Sequence, residues 1–366
     1  MKALKITLWY VLAVLVGIAA WLVVTWKNFL DTPLILSDKP VDYVLERGSS
    51  IKDLADDLYQ SGVIARPDFL IALTYYRGAE KKIKAGEYNF QPGTKPEQLL
   101  TQIVNGEVVY RHFTIVEGWT FKQLLTALNN NAYIKHELNG SNAILNSSYL
   151  SFLSTKPEGM FLPATYPFTA GTTDVTILKK AYQNLTKQMT HAWQNRAPGL
   201  PYQSPYDALI AASLVEKETA RPEERPLIAG VLQRRLQQNM PLQIDSTVIY
   251  GLGDSYMGKI SLNDLRTDTA YNTYTRRGLP PTPIAMPSMA SVIAVLHPDN
   301  SNFIYFVAKG DGTHVFSASL QAQNQAVTLY QLETSYPKVG RKNQKFVCTT
   351  PWYSSVELKK IFALRC

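Results

Sequence analysis

Several chemical signatures are scarce or absent in this chain of 366 residues. It contains two cysteines, Cys348 and Cys366, with no CxxC spacing, so thiolates alone cannot form a tetrahedral zinc site. The HExxH, GxSxG, P-loop and GxGxxG patterns are missing as well. We therefore expect neither a metal nor a cofactor. A disulfide that closes the C-terminal tail and two unpaired thiols are both open alternatives.

Charged residues are sparse, at 18% of the chain, whereas hydrophobic residues make up 46%. This composition argues against a disordered protein and provides enough apolar material for two or three domains. The formal net charge is +8, but the basic residues are scattered as pairs such as Arg234-Arg235 and Arg276-Arg277. A net positive charge favours binding to nucleic acid, anionic lipid or an anionic wall polymer. For each basic pair, an ordinary solvated surface is the alternative interpretation.

One long apolar run lies near the N-terminus, between Ile6 and Trp26, and it contains no charged residue. About 20 such residues span a bilayer as a helix, so we predict a single-pass anchor at 6–26 after a cytoplasmic segment at 1–5. Lys2 and Lys5 precede the run, and the positive-inside rule places the remainder outside the cytoplasm. The alternative is a cleaved signal peptide, but this run is long for one. An outward topology disfavours a nucleic-acid partner.

The chain beyond the apolar run has mixed α and β patterning, and we predict an α+β fold. Residues 27–40 resemble a linker, and 41–106 show strand, helix, helix and strand patterns that resemble a small LysM-like glycan-binding domain. Residues 107–335 are predicted to form a mixed α/β catalytic domain. The segment 336–366 is a basic, irregular tail.

A helix with strong start and stop signals is predicted between Ser204 and Thr219. Ser204 is a natural N-cap, Pro205 suits the first helical position, and Asp207 completes a capping box. The helix should end before Pro222.

Glu218, near the end of this helix, follows Ala211, Leu214 and Val215 by seven, four and three residues. Helical spacing places its carboxyl on an apolar face, where desolvation favours the neutral acid. Glu218 is therefore a candidate general acid. An ordinary, partly exposed glutamate at a helix end is the alternative interpretation.

A polar segment, MPLQIDSTVIYG, follows the next predicted helix. Gln243, Asp245 and Thr247 alternate in it, so we expect them to share one face of an extended segment. An ordinary polar strand face is the alternative.

Five motifs occur in a fixed order: SLVEKET, IAGVLQRRL, MPLQIDSTVIYG, YNTYTRRGLPPTPI and GTHVFS. Together with PEGMFLPATYPF at 157–168, they resemble the YceG-like family of endolytic murein transglycosylases over residues 41 to 332. The resemblance implies that Glu218 is the catalytic acid and base. It also implies a set of substrate-binding side chains: Glu216, Gln243, Asp245, Thr247, Tyr250, Tyr271, Asn272, Tyr274 and His314.

The chain departs from the family pattern at several positions around these motifs. The affected residues are Ala164, Arg234, Ile244, Ser246, Thr282, Met286, Ser288, Ala322 and Gln323. They put details of the cleft edge and the role of the last motif in doubt.

The resemblance further implies a reaction with one carboxyl group. Glu218 would protonate the oxygen between MurNAc and GlcNAc, and its carboxylate would then take the proton of the C6 hydroxyl as a 1,6-anhydro ring closes. The implied setting is the bacterial inner membrane, with a periplasmic catalytic domain that ends glycan strands beside peptidoglycan synthases, the penicillin-binding proteins. Two alternatives are a hydrolase that pairs Glu218 with Asp245 and a non-catalytic scaffold that binds the cell wall.

Overall fold

The protein is described here by a computed structural model, which covers residues 2–33, 39–46, 48–138, 150–151, 153 and 156–333. Its chain forms two compact units. Among the described residues, the first unit comprises 2–33, 39–46, 48–113, 131–136 and 167–174, and the second comprises 114–130, 137–138, 150–151, 153, 156–166 and 175–333. The two cysteines and the predicted basic tail at 336–366 lie outside the described residues.

A 30-residue helix, α1 (Lys2–Asp31), opens the first unit. Its stretch from Thr7 to Asp31 is long and apolar enough to cross a membrane. The helix extends beyond the predicted anchor, because Lys27–Asp31, which we expected to begin a linker, are helical. The reason is packing: Phe29 is only 8% exposed and lies in the core of this unit.

The rest of the first unit confirms the predicted order of strand, helix, helix and strand. Its elements are β1 (Val41–Leu45), α2 (Ile51–Gln60), α3 (Pro67–Tyr76), β2 (Gly86–Phe90) and α4 (Pro96–Asn105). Strands β1 and β2 pair antiparallel, with Tyr43 opposite Tyr88. Ser50 caps α2 through a capping box with Asp53, as its position after the Gly48 turn suggests. The likeness to a LysM domain stays a prediction.

Two further strands, β3 (Arg111–Ile115) and β4 (Ala164–Phe168), form a second small sheet. The hydroxyls of Thr114 and Thr165 lie 3.0 Å apart across it. Between these strands is α5 (Phe121–Asn129), which begins at a capping box made by Thr120 and Gln123.

The described part of the second unit is mainly helical and continues with seven α-helices and a hairpin. They are α6 (Asp174–Gln194), α7 (Pro205–Glu218), α8 (Arg225–Gln237), α9 (Asp245–Leu252), α10 (Leu262–Arg266), α11 (Met289–Leu296), β5 (Tyr305–Ala308), β6 (His314–Ser317) and α12 (Leu320–Val327). The mixed α and β content predicted from the sequence is thereby confirmed.

Helix α7 lies at the centre of the second unit. All eight residues from Ala208 to Val215 are buried, so the helix is covered on every side and packs against α8 and α11. Ser204 accepts the backbone N–H of Asp207, which confirms the predicted capping box. This packing fixes the C-terminal end of α7, where Glu218 is the last helical residue.

Candidate active site

Glu218 ends α7 as a half-buried carboxyl group. Burial raises its pKa to about 7, a hydrogen bond from Ser246 opposes the rise, and the charge of Asp245 adds to it. The hydroxyl of Ser246 donates to Oε1 of Glu218 at 3.0 Å. A carboxyl group with this pKa is present as both acid and base near neutral pH, which general acid–base catalysis requires. This agrees with the desolvation expected from the helical spacing.

The loop that carries Gln243 differs from the sequence prediction. Gln243 has a left-handed backbone, with φ of 56°, and α9 begins two residues later at Asp245. The segment is therefore not one extended strand: Gln243 and Asp245 line the same cleft, whereas Thr247 is buried outside it. The turn is held by the backbone N–H of Gln243, which donates to the carbonyl of Thr273 at 3.1 Å.

Five of the predicted site residues line one cleft of about 180 Å³: Glu218, Gln243, Asp245, Tyr274 and His314. The hydroxyl of Tyr274 donates to Asp245, and Arg235 donates from Nη1 to Oε1 of Gln243 at 3.2 Å. The opposite wall is the β5–β6 hairpin, which contributes Tyr305 to Ala308 and His314. The cleft thus combines one acid of raised pKa with several hydrogen-bonding groups.

Thr247 and Asn272 are buried outside this cleft, where their side chains hydrogen-bond to backbone carbonyls. Thr247 donates to the carbonyl of Ile244 at 2.7 Å, and its oxygen lies 2.9 Å from that of Thr273. The amide of Asn272 donates to three carbonyls, those of Asp264, Leu265 and Thr267. These contacts hold the loops that border the cleft, and a role of Thr247 and Asn272 in substrate binding stays a prediction.

Tyr250 and Tyr271 pack against each other, with ring centroids 4.8 Å apart. The hydroxyl of Tyr250 donates to Glu158 at 2.9 Å, and that of Tyr271 pairs with Thr282. Both rings thus have partners within the protein, which favours a packing role, and their role in substrate binding stays a prediction.

Glu216 lies on the other side of α7 from the cleft, with only 6% of its side chain exposed. Its Oε2 accepts hydrogen bonds from the N–H and hydroxyl of Ser288 and from the hydroxyl of Ser291. Arg225 is 4.0 Å from its Oε1. A buried carboxylate with this many donors connects α7 to α11, and a role of Glu216 in substrate binding stays a prediction.

Comparison with known proteins identifies the family of this chain. The YceG-like family profile matches residues 43–329, which is most of the chain. The chain belongs to the YceG-like family.

Two curated relatives agree with this assignment. An endolytic murein transglycosylase of Bacillus subtilis is 29% identical over 336 residues, covering 87% of this chain and 90% of its own length. The endolytic murein transglycosylase of Streptococcus pneumoniae strain D39 is also 29% identical, and the match spans 60% of that longer protein. A crystal structure of a YceG-like protein from Listeria monocytogenes is 26% identical, with a TM-score of 0.49, covering 79% of this chain and 99% of the other.

Some of the residues at which the sequence departs from the expected pattern hydrogen-bond at or beside the site. Ser246 donates to Glu218, and Ser288 donates to Glu216. Gln323 lines the cleft and donates to the carbonyl of Phe306 at 3.1 Å. These three side chains therefore place polar groups around α7 and the cleft.

Sequence reasoning missed two carboxyl groups of this YceG-like unit. Glu158 is 7% exposed, and burial raises its pKa to about 7 although Tyr250 and the N–H of Phe121 donate to it. Glu224 is paired with His314. The motif around Glu158 was recognised, but nothing local in it predicts that residues from α5 and α9 would enclose this side chain. Glu224 sits in a charged run that is typical of exposed surface.

Proposed function

We propose that this protein is a membrane-anchored lytic transglycosylase that cleaves the glycan strands of murein. The observation that carries the proposal is Glu218, a half-buried acid with a pKa raised to about 7 inside a polar cleft. Relatives that match most of the chain bear the name endolytic murein transglycosylase, and this supports the choice of substrate.

The first step needs a proton donor at the glycosidic oxygen. At pH 7 about half of the Glu218 carboxyl groups carry a proton, given a pKa of about 7. Transfer of that proton to the oxygen between MurNAc and GlcNAc lets the bond to C1 break, which leaves positive charge on C1. The carboxylate that remains is stabilised by the hydroxyl of Ser246 at 3.0 Å.

The second step uses the same group as a base. The Glu218 carboxylate takes the proton of the C6 hydroxyl of MurNAc as that oxygen bonds to C1 and closes a 1,6-anhydro ring. The acid is regenerated, and no water is consumed. Asp245 raises the pKa of Glu218, and its negative charge also favours the positive charge that develops on C1. One titrating carboxyl group is therefore sufficient.

Several finer properties belong to the same proposal. We infer that α1 is retained as the anchor in the bacterial inner membrane, with the N-terminus in the cytoplasm and the catalytic unit in the periplasm. We also infer that cleavage occurs inside nascent strands and ends their elongation, beside the peptidoglycan synthases that extend them. The apolar length of α1, together with Lys2 and Lys5 before its apolar run, supports this orientation.

The decisive experiment is mass spectrometry of murein strands incubated with the full chain and with its Glu218→Gln variant. We expect new 1,6-anhydro ends, one water lighter than reducing ends, from the wild type and none from the variant. Glu223→Gln is the matched control, because this neighbouring carboxyl is 65% exposed and lies outside the cleft. Reducing ends would instead indicate a hydrolase, with Glu218 and Asp245 as its pair. Absence of any products from folded wild type would favour a scaffold.

A further inference from the structure

The hairpin wall of the cleft is joined to the end of α7 by one buried carboxylate, Glu224. Its Oε1 accepts the backbone N–H of His314 at 2.8 Å. Its Oε2 lies 2.7 Å from Nδ1 of the same histidine and accepts the hydroxyl of Thr219 at 3.0 Å. Thr219 directly follows Glu218, so Glu224 connects the chain beside the catalytic acid to the opposite wall.

The charge state of this contact follows from its donors. Burial alone would raise the pKa of Glu224, but hydrogen bonds from the His314 ring and N–H and from Thr219 outweigh burial and lower it. Glu224 is therefore ionised, and a carboxylate can only accept. Nδ1 of His314 must then carry a proton, whether the ring is neutral or charged.

The remaining polar atom of the ring is Nε2. The ring is flanked by Phe306 and Phe316, with centroids at 5.6 Å and 6.4 Å, and its side chain is 12% exposed. His314 lines the same cleft as Glu218. Within the part of the chain that the structure describes, Nε2 has no hydrogen-bond partner. A polar atom held in a cleft by a buried carboxylate on its far side has the arrangement that orients histidines in functional sites.

We propose that Glu224 is a positioning residue, which fixes His314 so that Nε2 of the ring forms a hydrogen bond with a hydroxyl of the bound glycan. In the neutral ring Nε2 has no proton, so it accepts from a sugar hydroxyl. The identity of the ligand as a glycan rests on the proposed function, whereas the geometry of the pair does not.

Two substitutions separate binding from structure. In His314→Asn the shorter amide can still donate to Glu224 from the position of Nδ1, but nothing replaces Nε2. In His314→Gln the longer amide reaches the position of Nε2. One hydrogen bond corresponds to about a tenfold change in affinity. We expect His314→Asn to weaken binding of glycan strands about tenfold, and His314→Gln to restore part of that loss.

Binding should be measured on the full chain in detergent, with Glu218→Gln present in every sample so that strands are not cut. The dissociation constant of purified uncrosslinked glycan strands is the readout, with thermal unfolding as the test of folding. An unchanged dissociation constant in a folded His314→Asn variant would overturn the proposal. Because this assay requires no turnover, binding that depends on His314 in a protein without lytic activity would contradict only the proposed function.

The role of Glu224 has its own spectroscopic test. In Glu224→Gln the amide oxygen can accept on one side only. The backbone N–H of His314 is always a donor, so the oxygen faces it and the NH₂ group faces Nδ1. The proton of the neutral ring then moves to Nε2. We expect nitrogen-15 NMR of the imidazoles, assigned with His314→Gln, to show the Nδ1–H tautomer in the wild type and the Nε2–H tautomer in Glu224→Gln. A neutral His314 with Nε2–H in the wild type would refute the proposal.

Discussion

Replacing Glu218, the proposed catalytic acid, should stabilise the protein at alkaline pH. The pKa of Glu218 rises from 4.5 to about 7 on folding, because burial disfavours its charged form. The folded state therefore binds this proton more tightly than the unfolded state does, and stability falls as pH rises from about 4.5 to about 7. Above that window the full penalty is present, and below it the penalty disappears.

The size of the effect follows from the shift. A shift of about 2.5 pKa units at 1.36 kcal/mol each gives about 3 kcal/mol. For a folded unit of this size, 1 kcal/mol corresponds to roughly 2–4 °C in the midpoint of thermal unfolding. Glu218→Gln keeps the shape of the side chain and cannot ionise. We therefore expect its midpoint at pH 8 to exceed that of the wild type by roughly 6–12 °C, after subtraction of the difference at pH 4.

The assay is thermal unfolding of the full chain in detergent, followed by circular dichroism at pH 4 and pH 8. Glu223→Gln is the control, because this carboxyl is 65% exposed and its surface pair with Arg221 contributes little. If the midpoints of the Glu218→Gln variant and the wild type differ equally at both pH values, the pKa of Glu218 is not raised by folding. Glu218 would then be ionised at neutral pH and could not act as the proton donor.

Three further predictions concern single side chains. Ser246→Ala removes a hydrogen bond that lowers the pKa of Glu218. The alkaline limb of the pH–rate profile should therefore move to higher pH, by as much as about one pH unit. A shift to lower pH would contradict this. Asn272→Ala leaves three loop carbonyls without their donor, so we expect the free energy of unfolding, measured with urea, to fall by about 2–4 kcal/mol. The control is Asn263→Ala, which replaces an exposed side chain and should change it little. Phe29→Ala opens a cavity between α1 and the rest of the first unit, and we expect the free energy of unfolding to fall by about 3 kcal/mol in the same measurement. Leu22→Ala, on the exposed part of α1, should leave it unchanged.

Local signals predicted the elements around the site well. The start of α7 was predictable because Ser204, Pro205 and Asp207 make an N-terminal cap that depends on four consecutive residues. The placement of Glu218 followed from helical spacing against Leu214 and Val215, both of which are buried. These features depend on neighbours in the sequence, and neighbours are what a single sequence displays.

Sequence patterns were insufficient where distant segments decide the structure. Alternation wrongly suggested an extended segment at Gln243, because its backbone is left-handed and is tied to Thr273, 30 residues away. The hydroxyl of Tyr250 donates to Glu158, which lies 92 positions earlier, and nothing in the motif around Tyr250 indicates this partner. Contacts of this kind have no trace in local periodicity, so the shape of the cleft and the orientation of its aromatic rings could not be predicted.

The packing of Phe29 into the first unit has a mechanical consequence. A flexible tether would let that unit take any orientation above a membrane, but here Trp26, Phe29 and Leu30 join α1 to the core around Phe69. A helix that tilts to match the thickness of its bilayer must therefore turn the first unit with it. With α1 as the anchor, lipid chain length becomes a variable that sets the angle at which this unit meets the membrane surface.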